Sequence, residues 1–148
     1  MSAAVLASGL VAGCSVGHGG SSGVTATAAY VLHPSGGRTV AYLDIRNNGS
    51  SDRLIAVSTS VGGTVQLRGP IRFGVTPVEM HTVTDIPIPS NYTTQLVPNS
   101  YHLLITGAGP MQDGKDITLK LTFARAGTIT ILALVTNPDT GGSNYFLN

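Results

Sequence analysis

Apolar and polar residues alternate with a period of two along much of this chain. The clearest run is Asp116 to Phe123, where Ile117, Leu119, Leu121 and Phe123 are interleaved with Asp116, Thr118, Lys120 and Thr122. That pattern predicts a strand with one face in a core and the other in water. Thr39 to Asn47 repeats it, with Ala41, Leu43 and Ile45 on one side and Tyr42, Asp44 and Arg46 on the other. Val24 to Leu32 alternates poorly, but its Val, Thr, Ala and Tyr content predicts an opening strand. Further strands are expected at Arg53–Ser60, Gly63–Arg68, Val78–Val83, Ile86–Pro89, Thr93–Val97, His102–Thr106 and Thr128–Val135. The last is apolar on both faces, which predicts a central position. Between the strands lie turn formers with a mechanism, such as Asn47-Asn48-Gly49-Ser50, Pro98-Asn99-Ser100 and Gln112-Asp113-Gly114-Lys115. The stretch from Gly69 to Thr76 is punctuated by Gly and Pro and predicts a loop or an irregular edge. About nine or ten short strands at this spacing predict an all-β chain folded as a single antiparallel Greek-key β-sandwich.

Composition narrows the class without changing that picture. The chain of 148 residues has room for one domain and one core. Nineteen glycines, eight prolines, no tryptophan and 10% charged residues argue against helices. A net charge of +1, with the basic residues scattered along the sequence, excludes the electrostatic footprint of a nucleic-acid binder.

The N-terminal residues break the pattern. Met1 to Ala12 is a nearly continuous run of small and apolar residues, too short for a membrane-spanning helix and of the size of a signal-peptide core. It ends in Leu10-Val11-Ala12-Gly13-Cys14, which resembles a bacterial lipobox, and a Gly/Ser-rich stretch follows. The resemblance implies domain boundaries at 1–14 for a signal segment ending at a lipidated Cys14, 15–23 for a tether, 24–136 for the β-sandwich and 137–148 for a loose polar tail. A lone cysteine closes no internal disulfide, and lipidation accounts for it. No Lys or Arg precedes the apolar run, which leaves open a start upstream of Met1. The expected location is the extracytoplasmic face of a bacterial cell membrane, held by an anchor rather than a span.

The order of phrases in the body of the chain carries a second resemblance. Ala41-Tyr42-Leu43-Asp44-Ile45-Arg46-Asn47-Asn48-Gly49, Asp52-Arg53-Leu54 and Gly63-Thr64-Val65-Gln66-Leu67 come first. Ile88-Pro89, Tyr101-His102-Leu103, Gly114-Lys115, Thr118 to Phe123 and Ala126-Gly127-Thr128 follow. Together they resemble the periplasmic copper chaperones of the PCu(A)C type. The resemblance implies a cupredoxin-like β-sandwich, a monovalent copper ion bound near one end, and delivery of copper to cytochrome oxidase during its assembly.

The family's metal motif is a His, ten residues and a Met, then twenty-one residues and His-x-Met. The spacing from Arg68-Gly69 through Met80 to His102-Leu103-Leu104 fits it without a gap. Met80 and His102 match, and thioether with imidazole suits monovalent copper. Arg68 stands in place of the first His and Leu104 in place of the last Met. Arginine keeps its proton and its charge, and leucine has no sulfur. Met111, on the loop after Pro110, is the expected assisting ligand. His81 is adjacent to Met80 but is expected on the opposite face, and His33 and His18 have no spacing relation to the motif.

Two function classes follow. One is a lipid-anchored copper(I)-binding chaperone with an altered site at Met80, His102 and Met111. The other is a metal-free sandwich serving as an interaction module, docking on a membrane respiratory complex or another envelope partner, with Arg68 facing an acidic surface. No Gly-x-Ser-x-Gly elbow, His-Glu-x-x-His pair or phosphate-cradling loop points to an enzyme.

Overall fold

Alternating burial builds this molecule strand by strand. A computed structural model of the chain describes residues 23–72, 74 and 76–140. The apolar segment with Cys14, the tether up to residue 22 and the tail beyond residue 140 lie outside the described residues. The strands are β1 (Val24–Leu32), β2 (Arg38–Asn47), β3 (Asp52–Thr59), β4 (Thr64–Pro70), β5 (Met80–Thr82), β6 (Ile86–Ile88), β7 (Tyr92–Leu96), β8 (His102–Thr106), β9 (Asp116–Phe123) and β10 (Gly127–Thr136). The helical content among the described residues is one 3-10 turn at Pro138–Thr140.

The strands run in the order β5-β4-β8-β2-β1-β10-β9-β3-β6, with β7 on β2. This path curls into the expected all-β, cupredoxin-like sandwich, and β6 returns beside β7. Asn47 Nδ2 donates to the Ile88 carbonyl at 3.0 Å and Thr94 Oγ1 to the Pro87 carbonyl at 3.1 Å across that seam. All pairings are antiparallel except β1 with β10, which run parallel at Tyr30–Leu134, Val31–Val135 and Leu32–Thr136. β10 lies between β1 and β9, the central place its two apolar faces predicted.

Leu43, Ile45, Leu54, Ile86, Ile88, Leu96, Leu103, Ile105, Leu119 and Leu121 are the largest fully buried side chains. At about 1.5–3 kcal/mol for each buried aliphatic side chain, this layer is the main force holding the curl together. The poor alternation in β1 has a structural cause. Ala28 takes a φ of 52° and the register against β2 shifts between Thr27 and Tyr30. The residues facing the core change from Val24 and Ala26 to Ala29 and Val31 across that bulge. One side chain departs from its predicted environment. Tyr42 shares the side of β2 that carries Asp44 and Arg46, yet it is 8% exposed. The Tyr30 and His102 rings from the neighbouring strands lie against it, with centroids at 5.3 and 6.2 Å.

Candidate metal centre

Register explains why the motif positions have the spacing they do. Arg68 on β4 is directly opposite His102 on β8 and directly opposite Thr82 on β5. Residues opposite one another in an antiparallel pair point to the same side of the sheet. Met80, two residues before Thr82, and Leu104, two residues after His102, therefore share that side. All four motif positions thus reach one outer face from three strands, across the row Tyr30–Tyr42–His102–Arg68–Thr82. On β8 the alternate residues Leu103 and Ile105 are fully buried on the core side.

The chemistry of that face is set by Arg68. β4 lies between β5 and β8, so the strands carrying Met80 and His102 are roughly 10 Å apart with Arg68 between them. The guanidinium is held over β5: Nη1 donates to Thr82 Oγ1 at 2.9 Å and Nη2 to the Met80 carbonyl at 2.8 Å. Its charge is therefore fixed in place rather than swung into solvent. A monovalent cation roughly 5 Å away would meet a repulsion of about 3 kcal/mol at an effective dielectric near 20. Leu104 contributes volume and no lone pair. This donor set does not fit a copper ion held as the motif would hold it.

His102 keeps a ligand's electronic state all the same. Its Nδ1 donates to the Ser100 carbonyl at 3.1 Å, which leaves the lone pair on Nε2. Burial pushes the His102 pKa below its ordinary 6.5; the Ser100 bond opposes this and the Arg68 charge adds to the lowering. The ring is neutral at pH 7. Between the lowered native value and 6.5 the unfolded chain binds more protons than the native one, so stability rises with pH there. His102 therefore contributes stability that is complete above about pH 6.5 and is lost as pH falls through the native value. Substituting His102→Gln is expected to flatten the fall in urea midpoint between pH 7.5 and 5. An unchanged slope would assign that fall to other groups.

Other expected or neighbouring residues sit elsewhere. Met111 is 8% exposed and belongs to the hydrophobic core. Its thioether fills space among apolar side chains, so the assisting role expected for it has no support in its surroundings. His81 is exposed and pairs with Gly69, off the face that carries Met80. His33 is bonded to Asp113. Among the described residues, no three His, Cys, Asp or Glu side chains converge as a metal site. Sequence reading missed Gly69, where a Cβ would stand 2.7 Å from the Tyr101 ring. The absent side chain lets Tyr101 pack on β4 and seats the start of β8, hence His102. Gly69 reads in the sequence as the start of a loop, whereas β4 runs on through it to Pro70.

Comparison with known proteins adds three findings. The family model described as "Putative lipoprotein LpqE-like" matches residues 23–135. "Putative lipoprotein Lxx21020" from Leifsonia xyli subsp. xyli is 25% identical over 125 residues, covering 83% of this chain and 75% of that protein. Two solved structures share the fold. The copper-bound PCuAC domain from PmoF2 superposes with a TM-score of 0.63 at 22% identity, covering 78% of this chain and 94% of that one. The solution structure of CuI-DR1885 from Deinococcus radiodurans gives 0.60 at 22%, covering 76% of each.

Proposed function

Because the chain belongs to the LpqE-like family and folds as PCuAC domains do, we propose that it is an envelope lipoprotein that keeps the copper-chaperone sandwich as an interaction module and presents a cation where the motif would hold a metal. In this reading Cys14 carries the lipid, the domain stands outside the cytoplasmic membrane, and the face around Arg68 meets an acidic partner surface. A membrane respiratory complex is the partner class implied by the resemblance to oxidase-assembly chaperones.

The observation that carries this reading is the Arg68 guanidinium itself, bonded to Met80 and Thr82 beside His102. Three of its five N–H donors remain free of those two bonds, enough for a bidentate carboxylate. Affinity purification of the full chain from detergent-solubilised membranes tests it. A partner is expected to co-purify with the wild type and to be lost with Arg68→Glu while the variant stays folded. Recovery of the protein alone, or equal recovery with the variant, would overturn the docking role.

A second reading rests on a separate observation, the neutral His102 ring with Nε2 free of the Ser100 bond, on the same face as Met80. Two ligands hold monovalent copper weakly. Competition against a copper(I) chelator separates the readings, since the docking module leaves the chelator saturated and the two-ligand site draws copper from it.

A further inference from the structure

The first described residue is packed into one end of the sandwich. The Gly23 carbonyl accepts from the Asn48 amide at 2.8 Å, and a Cβ on Gly23 would meet the Gly49 nitrogen at 2.7 Å. The chain thus enters the domain against the β2–β3 turn. Register sets the rest of that end: Val24 is opposite Asn47, Asn47 opposite Tyr92, Asp52 opposite Ile88, and Phe123 opposite Gly127.

This rim gathers cations that are far apart in sequence. Arg46, Arg53 and Arg125 are all exposed there. Arg46 Nε leans on Asn48 Oδ1 at 2.8 Å, and Arg53, bonded to Asp85 at 3.2 Å, keeps 59% of its side chain exposed. Two carboxylates lie among them: Asp85, partly exposed and paired with Arg53, and Asp52, which is buried with its oxygens facing the amides of Arg53, Arg125 and Ala126. Tyr92 stands beside these groups with 58% of its surface in solvent. The other end of the sandwich has the opposite balance: Arg38 and Lys115 lie there with Asp113, Asp116 and Asp139. With Asp52 and Asp85 counted, the rim carries a formal charge of +1 and the other end −1.

We infer that the Arg46–Arg53–Arg125 rim, with Tyr92, is a docking surface for anionic lipid headgroups. The inference rests on the reading of Cys14 as the lipid-bearing residue. The eight residues from Ser15 to Ser22 join Cys14 to Gly23. Fully extended they reach about 30 Å, and as a Gly/Ser-rich coil about 16 Å. The end that such a leash holds towards a bilayer is the end with the exposed arginines. A lipid chain combined with a basic patch makes a two-signal attachment. Tyr92 supplies an apolar ring with a polar tip, suited to the headgroup layer.

The chain has no tryptophan, so Tyr92→Trp creates a single fluorophore on the rim, and Leu132→Trp places one mid-strand on β10, where Leu132 is 61% exposed. Both full-length variants are reconstituted in brominated phosphatidylcholine vesicles with and without about one-third phosphatidylglycerol. On the anionic vesicles, quenching at position 92 is expected to exceed that at position 132 by about threefold. Each arginine near an anionic surface is worth about a fivefold change in affinity. Arg46→Gln with Arg125→Gln in the Cys14→Ser chain should therefore lower vesicle binding about twentyfold. Equal or stronger quenching at position 132, or binding unaffected by the two arginines, would overturn the docking surface. The mass of the chain at Cys14 is read separately: an unmodified cysteine overturns the anchor, while quenching of that same chain by added vesicles still decides the surface.

Discussion

Replacing Arg68 by His and Leu104 by Met together is expected to raise copper(I) affinity at least a hundredfold over the wild type. The substitutions act on a face where position 68 is already opposite His102 and position 104 already shares its side with both. Removing the guanidinium removes a repulsion of about 3 kcal/mol, which alone is about two orders of magnitude in binding. An imidazole and a thioether then join those of His102 and Met80, completing a soft donor set. Leu104→Met conserves volume and should cost less than about 1.5 kcal/mol in stability. Arg68→His gives up the bonds to Thr82 and the Met80 carbonyl, at a cost of about 1–3 kcal/mol. Titration against a copper(I) chelator, with the single variants alongside, measures the gain. A double variant that competes no better than the wild type would show that more than these two residues separates this face from a copper site.

Fold and site were legible in the sequence to different depths, for physical reasons that particular residues show. Period-two alternation located β9 because its two faces meet different solvents, and Ile117, Leu119, Leu121 and Phe123 are all buried. Strand boundaries in the motif region followed the turn formers closely, as at His102–Thr106. The strand expected at Val78–Val83 narrowed to Met80–Thr82, the residues in register with Pro70, Gly69 and Arg68 on β4. Motif spacing identified the four positions but could not say what Arg68 does there, because its partners, Thr82 and the Met80 carbonyl, are set by register across two hairpins. For Met111 the sequence gives a loop, which has no period to say which way a side chain turns, and it turns into the core. Along the sequence Arg46, Arg53 and Arg125 are scattered charges. The β2–β3 turn and the pairing of β3 with β9 bring them to one end.

Asp52→Ala is expected to remove about 3–5 kcal/mol of stability and lower the melting temperature by roughly 10–20 °C. Asp52 is a carboxylate with 7% exposure at the start of β3. Oδ1 accepts from the amides of Arg53 at 2.7 Å and Arg125 at 2.9 Å, and Oδ2 accepts from the amide of Ala126 at 2.8 Å. Two of those amides belong to the turn between β9 and β10, so one side chain fastens that hairpin's turn to β3. The phrases Asp52-Arg53-Leu54 and Ala126-Gly127-Thr128, distant in sequence, are halves of this one joint. Bonds from neutral amides to a charged acceptor are worth more than neutral pairs, about 1.5–3 kcal/mol before overlap between them is counted. Truncation leaves three donors, and water at the rim satisfies part of the loss, which holds the estimate below the simple sum. Asp52→Asn keeps one acceptor oxygen but turns an NH2 towards a backbone N–H, so its cost should fall between wild type and Ala. Urea and thermal unfolding of the three proteins at pH 7 would measure the series. A loss under about 1 kcal/mol for Ala would mean that the core strands of β9 and β10 hold the turn without Asp52.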